Sequence, residues 1–247
     1  MPTTIITDEQ WQKLKPILLD LNIYDKPSLK ETFLGIIYRL KTGCQWRYLP
    51  SCYGKANTVF KAFRRWSASG LFYRLFKRLI KNADMEWVSI DATHVRAHQS
   101  SAGSAGDDYQ YIAKSVGGNS SKIHLAVDAH GNPIEFIVGD GVTRDIKIAP
   151  MLLQLLDLQD TEFLNADKGY DSEEFRSLAY SQGVRANIPR KKNAKSNNSH
   201  MDWLIYQARH VVENTFANLK HFRALSSRYD KLLNSYIGTV ALACGLI

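Results

Sequence analysis

The sequence predicts an α+β protein: an all-α N-terminal part over residues 1–85, helix-turn-helix-like in outline, followed by an α/β part over residues 86–247. Two observations predict it. Apolar residues recur at helical spacing up to about Ile80, whereas from Trp87 onward short β-type runs alternate with helical stretches. The charge balance changes at the same place. Residues 1–85 hold 15 Lys and Arg against 6 Asp and Glu, and residues 86–247 hold 17 against 18, so the whole net excess of +8 lies in the first part.

In the first part, Thr7 with Gln10 and Ser28 with Glu31 have capping-box spacing. Each precedes an apolar pattern, Trp11, Leu14 and Leu18, then Phe33, Ile36, Ile37 and Leu40. The second helix stops at Gly43, and Pro16 kinks the first. A loop anchored by Trp46 and Leu49 leads to a helix from about Asn57 to Gly70, with Val59, Phe63 and Trp66 inward, and a further helix covers Leu71 to Ile80. Lys55, Lys61, Arg64, Arg65, Arg74, Lys77, Arg78 and Lys81 span 27 residues without an acid, interleaved with aromatic residues. Such a surface attracts phosphate backbones by counterion release and carries little sequence information itself. Helix, connection and basic helix outline a helix-turn-helix reader, with a connection longer than the usual tight turn.

The second part begins with a short strand, Trp87 to Ile90, delivering Asp91 at its C-terminal end. A hairpin follows, Ile123–Val127 and Ile134–Val138 about the turn DAHGNP. Next come a helix from Ile146 to Leu156, a buried strand from Phe163 to Ala166 delivering Asp167, a helix from Ser172 to about Gln182, a strand from Val184 to Ile188, and a long helix carrying Glu213. The order β-β-β-α-β-α-β-α is that of a ribonuclease-H-like fold. It places Asp91 and Asp167 side by side at one sheet edge, with Glu213 supplied across the gap. Clustered carboxylates repel one another unless cations lie between them, and hard oxygen donors favour Mg²⁺, with Mn²⁺ as a substitute. A pair of such ions activates a water or a 3′-hydroxyl and stabilises the leaving oxygen in displacement at phosphorus.

Tyr206, Arg209, Glu213 and Lys220 have offsets of 0, 3, 7 and 14. On one helix they fall within roughly 60° of each other, beside an apolar stripe of Ile205, Val212, Phe216 and Leu219. The competing reading is a solvated helix with an Arg209–Glu213 pair. Weaker candidates are His94, Arg96 and His98 beyond Asp91, Lys122 in the second strand, and Arg190, Lys191, Lys192 and Lys195 as a phosphate-contacting strap. The Gly/Ser-rich segment from Gln99 to Ser121 reads as a mobile loop. Cys44, Cys52 and Cys244 have neither disulfide nor zinc spacing. No run is long enough to span a membrane, and MPTTIITDEQ is no signal peptide, which gives a cytoplasmic protein by default. The apolar run TVALACGLI at the C-terminus leaves open a continuation of the chain or docking against a partner subunit.

These motifs resemble those of the DDE transposases of bacterial insertion sequences, in the insertion sequence five family. GCQWRYLP followed by TVFKAFRRW resembles the family's N-terminal DNA-binding region, IDATHVRAHQ its first carboxylate motif and NADKGYDSEEFR its second; Tyr206, Arg209, Glu213 and Lys220 match the third. The resemblance implies that Asp91, Asp167 and Glu213 are catalytic metal ligands. It also implies that Arg209 and Lys220 grip DNA phosphates and that Tyr206 positions the transposon end. Implied partners are the terminal inverted repeats and target DNA, bound by a homodimer associated with the bacterial nucleoid. Two alternatives remain: an idle, element-derived DNA-binding repressor, and a metal-dependent nuclease without strand transfer.

Overall fold

Thr7 starts the first helix with both halves of its capping box in place: the Gln10 amide donates to Thr7 Oγ1 at 3.1 Å and the Thr7 amide to Gln10 Oε1 at 2.9 Å. In chain order the helices of this computed structural model are α1 (Asp8–Asp20), α2 (Leu29–Thr42), α3 (Ala56–Ala68), α4 (Leu71–Leu79), α5 (Asp145–Gln154), α6 (Glu173–Ser181), α7 (Trp203–Gln207), α8 (His210–Lys220), α9 (Arg223–Ser226) and α10 (Leu233–Cys244). The strands are β1 (Trp87–Ala97), β2 (Ala113–Ser115), β3 (Gly118–Val127), β4 (Pro133–Asp140), β5 (Phe163–Asn165), β6 (Arg185–Asn187) and the two-residue β7 (Ser227–Arg228). Residues 6–80, 82–102, 109–192, 194 and 196–247 are described. Lys81 and Lys195 lie outside them, as do residues 103–108 of the Gly/Ser-rich segment.

The chain forms two compact units: residues 1–79, 98–110 and 219–247 make one, and 80–97 and 111–218 the other. This division differs from a single boundary at residue 85, because the C-terminal segment joins the N-terminal helices. In the first unit α10 is buried along nearly its whole length and packs on α3 and α4. The apolar C-terminal run therefore fills this unit's own core rather than standing free for a partner. Phe33 contacts Trp11 and Trp66, and Phe72 contacts Phe63 and Trp66, an aromatic cluster in which each buried ring contributes about 1.5–3 kcal/mol. Arg39 and Asp230 form a buried ion pair at 3.2 Å, and Thr239 Oγ1 donates to Asp230 Oδ2 at 2.8 Å.

Gly43 ends α2 in the left-handed region at φ +67°, as its sequence position predicts. Two expectations change. Ser28 makes no side-chain cap, and α1 runs through Pro16 as one helix. Between α2 and α3 lie two single 3₁₀ turns, Trp46–Tyr48 and Ser51–Tyr53, with the Trp46 ring set against Phe60 and Phe63.

In the second unit β3 pairs antiparallel with β1 on one edge and with β4 and the short β2 on the other, while β5 and β6 add parallel to β1. Leaving β2 aside, the spatial order β4-β3-β1-β5-β6 and these directions make the fold ribonuclease-H-like. Val88 and Ile90 of β1, Ala126 of β3 and Leu164 of β5 form a core with Leu152 and Leu153 of α5 and Phe175 and Ala179 of α6. The β3–β4 turn is built on Asp128, whose Oδ1 accepts the amides of His130 and Asn132. Thr215 Oγ1 of α8 donates to Gly131 O at 2.6 Å, which fixes α8 against that turn.

Three sequence expectations are corrected here. The first strand does not stop at Ile90: β1 continues to Ala97 because its antiparallel pairing with β3 extends to Arg96. Part of the Gly/Ser-rich segment is ordered as β2 and the start of β3. The helix expected to carry Tyr206 to Lys220 without interruption is broken. The amides of Ala208, Arg209, Val211 and Val212 bond three residues back, which tightens the chain between α7 and α8 and leaves Arg209 at the joint.

Candidate active site

Strand pairing brings Asp91 and Asp167 together. Ser89 lies opposite Asn165 as the last pair of the parallel β1–β5 ladder, and each aspartate stands two residues further on. An offset of two returns a side chain to the same face, and Asp167 is still extended at φ −73°, ψ 170°. The two carboxylates therefore leave the sheet where the parallel partners part, although β1 itself runs on.

Asp91 Oδ1 accepts the Ala92 amide at 2.7 Å, and Oδ2 accepts Arg209 Nη1 at 3.3 Å. Nη2 of the same guanidinium donates to Glu213 Oε1 at 2.5 Å. One arginine thus bridges the first and third carboxylates. Asp167 Oδ1 accepts the Gly169 amide at 2.7 Å and caps the turn Lys168–Tyr170. A Cβ on Gly169 would lie 2.8 Å from that oxygen, so a larger residue there would push the Asp167 carboxylate aside. The three carboxylates differ in setting. The Asp91 side chain is 23% exposed, Asp167 half-buried and the Glu213 side chain 55% exposed.

Burial pushes the Asp91 carboxyl up to about 6, with the negative charges of Asp167 and Glu213 acting in the same direction and the Ala92 amide and Arg209 opposing. The contributions of Asp167 and Glu213 place all three carboxylates in one electrostatic neighbourhood. Burial, together with the charges of Asp91, Asp145 and Asp167, drives the Tyr170 phenol far above its usual range, so it stays neutral. For Arg209 burial works against the charge, but the hydrogen bond and charge of Glu213, aided by Tyr206 and Asp91, outweigh it and hold its pKa above the usual value. The Tyr206 ring centroid lies 5.9 Å from the Arg209 guanidinium carbon and 5.8 Å, edge-on, from the Trp203 ring.

Among the described residues, no three His, Cys, Asp or Glu side chains stand close enough to hold one metal ion. The donor chemistry nevertheless fits a hard divalent cation. Asp91 and Glu213 already share a positive charge, and the raised Asp91 pKa marks a carboxylate that a nearby cation would relieve.

The other sequence candidates are placed differently. His94 and Arg96 stand at odd offsets from Asp91 and so point to the opposite sheet face; Lys122, paired with His94, shares that face. Lys122 Nζ is tied to Asp145 Oδ1 at 2.8 Å and Thr143 O at 2.9 Å, which anchors the start of α5 rather than leaving an ammonium free for phosphate. His98 belongs to the first unit, where it stacks on Tyr229 at 4.3 Å. Lys220 is exposed at the last position of α8. Lys61, Arg64 and Arg65 are exposed on α3.

In the strap, Arg190 is paired with Asp171 and Glu173, and Lys191 Nζ donates to Asp171 O, while Lys192 is exposed. The structure also singles out residues that sequence reasoning left without roles. Asp171 accepts Arg176 Nε and Nη2 at 3.0 and 2.9 Å and the Lys191 amide at 2.8 Å. The buried Asn187 donates to Asn165 Oδ1 at 2.8 Å and clasps the backbone of Asp202, the cap of α7, at 2.9 and 3.0 Å. Asp171 and Arg176 lie within the second carboxylate motif, a signal that could have found them; Asn187 has no local signal.

Residues 6–76 match a family model described as "Putative transposase of IS4/5 family", and residues 82–246 one described as "Transposase DDE domain". A Brucella ovis protein, "Putative transposase for insertion sequence element IS6501", is 33% identical over 129 residues, covering 52% of this chain and 97% of the relative. A Burkholderia cepacia protein, "Putative transposase for insertion sequence element IS402", is 30% identical over 139 residues, 51% of this chain and 62% of the relative. A solved structure, the "Mos1 transposase paired-end complex with left transposon end", is 13% identical with a TM-score of 0.29 over 90% of this chain and 78% of that one, a likeness that carries no argument. The DDE model alone covers well over half of the sequence, carboxylate strands and α7–α8 included, and the chain belongs to the DDE transposase family of insertion sequences.

Proposed function

We propose that the chain binds the terminal inverted repeats of its own insertion sequence, cuts the DNA beside them and joins the freed 3′ ends to target DNA. The observation that carries this reading is the meeting of Asp91 and Asp167 at the parting of β1 and β5, with Glu213 linked to Asp91 through Arg209. Asp91, Asp167 and Glu213 would hold divalent cations, two of Mg²⁺ or Mn²⁺. When bound, these supply activation of a water or 3′-hydroxyl and stabilisation of the leaving oxygen.

The chain's own residues do the rest. Asp167 is held by its cap on the following turn, so its free oxygen has a fixed direction. Tyr170, buried and neutral, closes the core side of the site against water. Arg209 and Lys220 would grip backbone phosphates, and Tyr206, whose ring lies against Arg209, would position the transposon end. Lys61, Arg64 and Arg65 on the exposed face of α3 supply phosphate contacts along the duplex, with Lys192 adding to them. Two copies acting as a homodimer would hold the two ends of the element.

The test is cleavage and joining on a duplex carrying the flanking inverted repeat, with Mg²⁺, for the native chain, Asp91→Asn and Glu213→Gln. The native chain is expected to yield cut and joined products, and both variants to bind the duplex without cutting it. Cut ends without joined products would favour a nuclease. Binding without cutting by all three, in Mg²⁺ and in Mn²⁺, would favour an idle DNA-binding derivative.

A further inference from the structure

We infer that Arg209 is the resident counterion of the carboxylate site: its guanidinium holds the place between Asp91 and Glu213 that a divalent cation takes, and gives it up when a DNA phosphate is available to receive it. This rests on the reading of those carboxylates as metal ligands. The geometry is specific. Nη1 reaches Asp91 Oδ2 at 3.3 Å and Nη2 reaches Glu213 Oε1 at 2.5 Å, so both arms of one fork are spent on two carboxylates that come from different elements. Arginine keeps its charge at every accessible pH, so the positive charge leaves only if the side chain moves. A guanidinium and a divalent ion cannot share the gap, because like charges a few ångströms apart in a half-buried site repel strongly.

The surroundings allow the movement. Arg209 lies at the joint of α7 and α8, outside both helices, and its partner Glu213 is more than half exposed, so that carboxylate can part from it into solvent. The Tyr206 ring at 5.9 Å gives the displaced guanidinium a face to rest on. A phosphate offers it the same two-pronged acceptor geometry that the carboxylates now provide. Metal and DNA then bind cooperatively, because each removes the same obstacle for the other, and the coupling is reciprocal. This goes beyond a phosphate grip: the same residue keeps the site closed to cations until DNA arrives.

The experiment is Mn²⁺ binding to the full chain, read from the electron paramagnetic resonance of free Mn²⁺, with and without a short duplex. The proteins are the native chain, Arg209→Gln, Arg209→Lys and the double variant Arg209→Gln/Asp91→Asn. The native chain and Arg209→Lys should bind Mn²⁺ weakly alone and about tenfold more tightly with the duplex. Arg209→Gln should bind it about tenfold more tightly than the native chain without DNA, with no further gain from the duplex. The double variant should lose this gain.

Equal or weaker Mn²⁺ binding by a folded Arg209→Gln overturns the inference. So does a native affinity unchanged by the duplex, a result that needs no variant to fold. Binding of no Mn²⁺ by any of the proteins, with or without DNA, overturns the metal-ligand reading as well. Equal affinities removes the counterion role alone.

Discussion

Two aspartates of the second unit meet arginines, and their carboxyl groups respond in opposite ways. At Asp171 burial pulls the pKa upward, but the Lys191 amide and the guanidinium groups of Arg176 and Arg190 outweigh it and hold it below the usual carboxylate range. At Asp91 burial wins, and one shared guanidinium at 3.3 Å leaves the pKa at about 6. The Asp171 network is closed, with each acceptor matched to a donor; the Asp91 network is short of positive charge. A satisfied buried ion pair holds a fold in shape, whereas an underpaired carboxylate among others is a candidate ligand for a cation.

The largest expected contrast is in activity. Asp91→Asn should lower Mg²⁺-dependent DNA cleavage by at least about a thousandfold, since metal-assisted stabilisation of the transition state is worth several kcal/mol. The same variant should leave the circular dichroism spectrum unchanged. Asp171→Ala should instead destabilise the fold by about 3–5 kcal/mol in urea unfolding, because Arg176, with a side chain 10% exposed, loses its carboxylate and keeps the Ala186 and Ile188 carbonyls as uncharged acceptors. If Asp171→Ala unfolds no more easily than the native chain, the closed network is not structural.

The pH dependences should also oppose one another. A carboxyl whose folded pKa is raised contributes stability that is complete below its unfolded pKa and is lost as pH rises through the folded value. For Asp91 that window runs from 3.8 to about 6, and the loss is up to about 3 kcal/mol. Asp91→Asn should therefore gain stability relative to the native chain as pH rises across this window. Asp171, with a lowered pKa, contributes stability present above the usual carboxylate pKa and lost as pH falls through its folded value. Its variant should converge with the native chain only in acid. Parallel urea titrations at several pH values distinguish the two slopes.

The smallest effect concerns the strap. Lys192→Gln should change stability by less than about 0.5 kcal/mol while reducing the salt dependence of DNA binding by about one phosphate contact. Arg190→Gln should show the reverse, a loss of stability with little change in the salt slope, since its guanidinium is already paired with Asp171 and Glu173.

The same contrast shows which parts of the molecule were legible in sequence. Local chemistry was readable: the Thr7–Gln10 box, the Gly43 stop, and the alternation of strands and helices that places Asp91 and Asp167 on neighbouring strands. The break before His210 was not, because neither Gly nor Pro marks it, and a face drawn at 100° per residue assumes one continuous helix. The extent of β1 past Asp91 is set by its long register with β3, which no window of single-strand propensity contains. The partners of Arg190 lie 17 and 19 residues away in sequence, so a basic run read by composition resembled a free phosphate strap while folding turned its first member into structure. Burial of α10 with the N-terminal helices is a tertiary fact of the same kind.

The most direct test is the shift in melting temperature on adding Mg²⁺ in the presence of a short inverted-repeat duplex, measured for the native chain, Asp91→Asn and Asp171→Asn. The account predicts that Asp171→Asn melts lower but keeps the Mg²⁺-induced rise, whereas Asp91→Asn keeps its fold and loses the rise. A rise that persists in Asp91→Asn, or that disappears only in Asp171→Asn, would contradict the assignment of the cation site to Asp91 and its neighbours.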